Sequence, residues 1–528
     1  RSAVIDSILT HDQTSSDLST LNPLLEAETS SKVTFKGLSG MNSERSFGLD
    51  KRGYDKTMLG VLGMSTGFAS TVGINRQTVI DAGVRNKRGF ITPKKPEELN
   101  NLNTFSVMEA LSPLAINHDD PFRTAMAFTQ TAQHQMLVKK SMPALITTGA
   151  DEALPYLTSN KFAYKCPFEK AVVKEITKDY MIIEDSKTKE RDFIDLRTNI
   201  QKNSDGGFYI TIKLDPTVKV GQKIEANDII AYDKQSYSNA IGNRGKGASP
   251  FNISYNMGTL AKVAIMNTDL GYEDSCVVDN SISEALESKV DVQKDVSLDK
   301  NSNVYNMVSV GDHVQEGDPL LIFQDAFDEK EANELLKNIT DDNADGLSDL
   351  GRKPVRAKMT GQITDIRIYR TCDDEELSPT LLKIVKEYDA RINKLKKIMR
   401  KNGVDKEYTL EATSKLPAEG KLKHLDGVRI EFYIEVNDKF GIGDKLVFSQ
   451  ALKGVNSYIV PKGEEAFTDY RKDEYVNAFL TISGVMGRMV PSALLQGLLN
   501  KLILETSRQC QEELGIKPRM LNEILADL

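Results

Sequence analysis

The chain has 528 residues, 40% hydrophobic and 27% charged, an ordinary globular composition that excludes an unfolded chain and suggests about three to five domains. Its 68 Lys and Arg against 76 Asp and Glu give a net charge of −8, which argues against coating nucleic acid with the whole surface but leaves room for a local basic groove. No run of about 18 apolar residues marks a membrane span, and the first residues lack a basic-then-apolar signal. Cys166, Cys276, Cys372 and Cys510 are too scattered for a zinc knuckle or a disulfide scaffold, which fits a reducing cytosol.

Residues 1–33 are rich in Ser, Thr, Asp and Leu without periodicity and read as a loosely packed lead-in. The strongest helix of the next region spans 120–140. Asp119 or Asp120 caps it and Pro121 suits its first position. Phe122, Ala125, Met126, Thr129, Ala132 and Met136 share one face, and Lys139 and Lys140 favour its C-terminal dipole. From about 165 to 371 short β-type runs alternate with turns, as in Tyr180-Met181-Ile182-Ile183. Val220-Gly221 leading to Asp228-Ile229-Ile230, and Val310-Gly311 leading to Asp318-Pro319-Leu320, form a local repeat of the kind small β-barrels and sandwich hybrids use. An acidic stretch at 325–349, with nine carboxylates and two lysines, reads as a solvated excursion. Ser378-Pro379 then opens a helix whose Leu381, Val385, Tyr388, Ile392, Leu395 and Met399 make a short heptad seam, expected to project or to pack on one partner surface. The last long helix is expected over 491–513, with Leu494, Leu495, Leu498, Leu499, Leu502 and Ile503 as its core stripe.

Several patterns carry chemistry beside an ordinary reading. Asp341-x-Asn343-x-Asp345-Gly346 copies half of a calcium loop, but its twelfth position is Arg352, so an acidic surface loop is the better reading. His118-Asp119-Asp120 reads as a helix cap before a metal site. Gly242-x-x-Gly245-Lys246-Gly247 lacks the Ser or Thr of a phosphate-binding loop and reads as a basic turn. Arg123 falls in the first turn of a helix, where a cation opposes the dipole, and Arg488 precedes another helix. Both placements suit an external phosphate, with surface ion pairs as the commoner alternative. Glu273-Asp274 are turn residues placed where a divalent ion or its waters could be held. Lys445 and Lys453 could reach one polyanion across a loop.

Taken in order, these segments resemble the C-terminal half of the β (second-largest) subunit of multisubunit RNA polymerases. Glu44-Arg45-Ser46-Phe47 and Asn86-Lys87-Arg88-Gly89-Phe90-Ile91 resemble its fork-loop signatures. His118-Asp119-Asp120-Pro121-x-Arg123, with Gln133 and Thr148-Gly149, resembles the segment beside its active site. Gly271-Tyr272-Glu273-Asp274-Ser275, Gly443-Asp444-Lys445 with Lys453-Gly454-Val455, and Ser483-Gly484-Val485-Met486-Gly487-Arg488-Met489 follow in family order. There are departures. Phe448-Ser449-Gln450-Ala451-Leu452 replaces the family's glycine-containing loop, and Pro491-Ser492 follows the last motif. Such divergence, with a chain that begins near the fork region, resembles the split β subunits of giant bacteriophage polymerases.

The resemblance implies an α+β multidomain fold with a double-psi barrel and sandwich-hybrid core, a flap-like insertion and flanking helices. It implies five parts: a lead-in at 1–33, a fork-loop and active-site-flanking helical region at 34–160, a first barrel part at 161–284, a flap-like insertion with a projecting helix at 285–425, and a second barrel part with the C-terminal helix at 426–528. It implies a polymerase subunit inactive alone. Arg123 and Arg488 would grip the β- and γ-phosphates of the NTP. Lys445 and Lys453 would contact the RNA 3′ end and the reacting phosphates. Gln133 and Arg45 would add substrate contacts, and Glu273 and Asp274 would bias a second Mg2+ through water. The catalytic Mg2+ would sit mainly on a separate β′-like chain, and no zinc is expected here. Expected partners are a β N-terminal-half chain, β′-like chains, a promoter-specificity factor, template DNA and RNA, with no membrane, in the cytoplasm of a bacterial host. The alternative is a catalytically idle scaffold of a transcription complex.

Overall fold

In the computed structural model, the residues described are 18, 21–37, 40–41, 43–67, 69–82, 94–120, 123–124, 129, 131–132, 135–202, 208–240, 251–325, 352–404, 410–418, 422–449, 452–469 and 471–515. Gln133, His134, Asn86 to Ile91, the Gly242 turn, the Asp341 loop and nearly all of the acidic stretch lie outside them. The fold is mixed α and β, arranged as two compact units that interleave along the chain. One holds residues 1–165, 227–288 and 439–528. The other holds 166–226 and 289–438.

The first unit is organised on a five-stranded sheet. Its strands are β1 (Val263–Ile265), β2 (Ser275–Asp279), β3 (Lys445–Phe448), β4 (Leu452–Val460) and β5 (Ala478–Leu480), in the order β1-β5-β2-β4-β3. β1 runs parallel to β5 and β2 parallel to β4, while β2–β5 and β3–β4 are antiparallel. Among the described residues the sheet is open, so the expected barrel closure is not seen. Helix α1 (Ala115–His118) leads to Asp119 and Asp120, and α2 (Ile482–Arg488) and α3 (Pro491–Glu513) follow β5. Cys276, Leu452, Leu480, Val485, Val490 and Ala493 form the core joining the sheet to α2 and the start of α3.

Three expectations in this unit are corrected. The lead-in contains a buried helix, Pro23–Ser31. Asn22 caps it by accepting from Leu25 N–H at 2.8 Å, Pro23 opens it, and Leu24 and Leu25 are buried. The helix expected over 120–140 does not reach its predicted end. Residues 135–137 are not helical and Val138 bridges Ser288, with Lys139 N–H bonding to the Glu287 carbonyl at 2.8 Å. Tertiary pairing there overrides helix propensity. The α3 boundaries match the expectation, but its leucine stripe is not core. Ser492, Ala493 and Gln496 are buried, whereas Leu494, Leu498, Leu499, Leu502 and Ile503 are exposed.

The second unit contains a six-stranded sheet that includes Ser288–Asp299, Gly361–Arg370 and Gly427–Asp438, and a four-stranded sheet that includes Lys170–Ile176 and Tyr180–Asp185. The helix Pro379–Lys401 starts at the Ser378 cap, as predicted. It does not project. Leu381, Val385, Tyr388 and Ile392 join the core of the larger sheet with Ile363, Ile368, Val428 and Phe432. Leu395 and Met399 pack with Tyr180, Ile182, Phe193, Val404 and Leu410. The seam is therefore satisfied by this chain's own strands, because the chain supplies an apolar sheet face that the helix period alone cannot name. The glycine repeat appears as turns at Gly221 and Gly311, with φ of 84° and 101° that only glycine adopts without strain, each followed by a short strand.

Candidate nucleotidyl-transfer site

The β3–β4 hairpin places two lysines on one face. Val447 pairs with Lys453 and Lys445 with Val455. Lys445 and Lys453 are thus diagonal neighbours two positions apart, a relation that brings long side chains within mutual reach. Gly443, with φ 93°, turns the chain into β3, and the Asp444 carboxylate accepts from Gly441 N–H at 2.7 Å to hold that turn.

Parallel pairing of β2 with β4 brings the Glu273-Asp274 turn alongside Lys453. Val455 N–H donates to the Asp274 carbonyl at 3.3 Å, and Ser457 Oγ donates to the carbonyls of Leu270 and Cys276 at 2.7 and 3.0 Å. Glu273 is left-handed, with φ 48°, a conformation a non-glycine side chain keeps only when its neighbours enforce it. Thr481 enforces it. Its hydroxyl donates to the Glu273 carbonyl while accepting from Gly484 N–H at 3.1 Å as the cap of α2. Two glycines allow the close approach. A Cβ on Gly454 would lie 2.6 Å from the Asp274 carbonyl oxygen, and one on Gly484 2.7 Å from that of Glu273.

Arg488 ends α2, where a cation suits the negative end of the helix. Its Nη2 donates to the Lys453 carbonyl at 2.9 Å and pairs with Asp274 Oδ2 at 3.2 Å. Glu273, Asp274, Lys453, Thr481, Gly484 and Arg488 line one open cleft floored by Leu452, Leu480 and Val485. The Lys453 ammonium is held below the usual lysine range, first by burial and then by the nearby charges of Lys445 and Arg488. An anion in the cleft would relieve that repulsion.

Arg123 is helical, and the Asp120 carboxylate accepts its N–H at 2.8 Å. Next to it, the Asp119 carboxylate accepts from Ser492 N–H and Oγ at 3.0 and 2.5 Å, so the Arg123 segment is tied to the start of α3. Arg45 is exposed in the turn Glu44–Ser46, and none of Arg45, Arg123 and Lys445 is among the residues lining the cleft. The structure thus gathers Lys445, Lys453, Arg488, Glu273 and Asp274. Sequence reading named Gly454 and Gly484 only inside motifs and did not single out Thr481. A glycine in a strand interior beside Lys453 was the available signal. Among the described residues no group of three or more His, Cys, Asp and Glu gathers as a metal site, and no helix is long and apolar enough to cross a membrane.

No protein-family model matches the chain. It is similar to RNA polymerase β subunits. One relative is the DNA-directed RNA polymerase subunit beta of Corynebacterium diphtheriae, 23% identical over 334 residues, covering 59% of this chain and 27% of the relative. Another is the same subunit of Corynebacterium efficiens, 24% identical over 317 residues, covering 55% and 25%. The chain therefore spans about a quarter of the length of the curated relatives it matches.

Proposed function

We propose that this chain is a β-type subunit of a multisubunit DNA-dependent RNA polymerase and supplies the basic side of its nucleotidyl-transfer site. The observation that carries the reading is the convergence of Lys453, Arg488 and the Glu273-Asp274 turn on one cleft, with Lys445 beside it, in a chain similar to β subunits. The mixed parallel and antiparallel sheet that bears the cleft supports the double-psi barrel reading.

Nucleotidyl transfer is mostly positioning and charge neutralisation. Arg488 and Arg123 grip the β- and γ-phosphates, since a guanidinium matches phosphate geometry. Lys445 and Lys453 hold the RNA 3′ end and the reacting phosphates as point charges. Glu273 and Asp274, exposed side by side, fit a magnesium ion that keeps its own waters between itself and the protein. Asp274 already serves Arg488, which suits this indirect role. When bound, magnesium neutralises the charge developing on the phosphates. The carboxylates that hold the catalytic ion belong to a β′-like partner, with a β N-terminal-half chain, further β′-like chains and a specificity factor completing an enzyme that works on DNA, RNA and NTPs in a bacterial host cytoplasm. Divergence from bacterial β subunits supports a phage-encoded subunit.

The test is elongation by the assembled enzyme carrying Lys453→Ala. Loss of one electrostatic donor is expected to slow nucleotide addition by about 10²–10³-fold. Unchanged elongation would instead favour the idle scaffold.

A further inference from the structure

We infer that Asp119 is a positioning residue that fixes the spacing between Arg123 and Arg488. The inference rests on the proposed function, because it concerns how those two arginines reach one triphosphate.

Helix α3 begins at Pro491 with Val490 in the capping position, and Val490 has no side-chain acceptor to offer. The first N–H groups of a helix need one. Asp119 supplies it from more than three hundred residues away in sequence, through Ser492 N–H at 3.0 Å and Ser492 Oγ at 2.5 Å, and a carboxylate there also meets the positive end of the helix dipole. A second bond locks the same contact. Gln496 Nε2 donates to the Pro113 carbonyl at 2.8 Å in a buried setting.

The neighbouring aspartates serve different helices. Asp120 accepts the N–H of the helical residue Arg123 at 2.8 Å. Asp119 holds the helix that starts just after Arg488. Only Met489, left-handed with φ 51°, and the buried Val490 separate Arg488 from Pro491. A shift at the start of α3 is therefore passed to Arg488 through a connection with little slack. Arg488 is at the same time anchored to Lys453 and Asp274. Two arginines gripping one phosphate chain lose most of their advantage when their separation changes by about 1 Å.

The experiment is single-nucleotide addition by the polymerase assembled with its co-purifying chains, with KM for NTP and kcat measured separately. Asp119→Ala is expected to raise KM about tenfold with little change in kcat, the signature of lost binding common to ground and transition states. Asp119→Asn, which still accepts from the Ser492 N–H, is expected to restore KM to within about threefold of the parent. Ser492→Ala removes only the hydroxyl donor and is expected to raise KM about threefold to fivefold, a useful second variant should Asp119→Ala fail to assemble. The double variant Asp119→Ala/Arg488→Ala should be no worse than Arg488→Ala alone, since Asp119 acts through that arginine. Unchanged KM in Asp119→Ala or additive losses in the double variant, while Arg488→Ala raises KM, would overturn the inference and leave the proposed function standing. An Arg488→Ala enzyme with unchanged KM would overturn both.

Discussion

Lys453 is the residue on which the site's electrostatics turn. Burial and the charges of Lys445 and Arg488 hold its pKa below the ordinary lysine range. It therefore loses its proton at a lower pH than a free lysine, and affinity for a triphosphate should fall as pH rises through that value. Lys445→Ala removes one repelling charge and raises the Lys453 pKa. Triphosphate binding in that variant should be weaker at neutral pH, yet its alkaline decline should begin at a higher pH than in the parent. A pH series of triphosphate titrations checks this, and a decline that stays in place counts against the coupling. For stability the sign is opposite to that of an ion-paired lysine. The folded state binds fewer protons than the unfolded one between the two pKa values, so Lys453 makes stability rise with pH through that window. Cysteine gives a second handle. Burial pushes the Cys276 thiol up to about 11, whereas Cys510 is exposed. Iodoacetamide near pH 8 should alkylate Cys510 first and spare Cys276 until the chain unfolds, as peptide mapping can show. At this scale the cations were legible, because charge type and motif order survive in a linear sequence. The roles of Thr481, Gly454 and Gly484 were not. Each is defined by a backbone carbonyl from a turn about two hundred residues away, and nothing local announces that approach.

Among elements, the period of the helix Pro379–Lys401 told which face is buried and stayed silent on what buries it. The seam of Pro379–Lys401 was read correctly residue by residue, and the chain's own strands receive it. The α3 stripe failed in the other direction. Its leucines have helical spacing, but the contact with the sheet is made by Ala493 and its neighbours near the N-terminus. Ile392, fully buried in the larger core, should therefore report on folding. Ile392→Ala should cost about 2–5 kcal/mol of stability, measured by denaturant unfolding, while the folded variant still assembles with its partners. Lost assembly at unchanged stability would return the seam to a docking role. Local pattern also missed that residues 135–137 are not helical and that Val138 bridges Ser288. A strand-like partner far along the chain outweighed a good run of helix formers.

For the whole molecule, the division of labour matters most. The gathered site sets Lys445, Lys453 and Arg488 around the two acidic side chains Glu273 and Asp274. Under the proposed function, the carboxylates for the catalytic ion belong to another chain. Purification from the native source should therefore recover a β′-like partner carrying an aspartate cluster, identified by mass spectrometry. The mixed α and β content was legible in the alternation of β-type runs with a few long helices. The interleaving of the two units, whose segments meet at 165–166, 226–227, 288–289 and 438–439, was not. The most direct measurement is an experimental structure of the assembled polymerase with a non-hydrolysable NTP and a primed template. The triphosphate is expected against Lys453 and Arg488, with Arg123 on the same phosphates and Glu273-Asp274 facing an ion through water. A triphosphate bound elsewhere, with Lys453 and Arg488 facing only solvent, would contradict it.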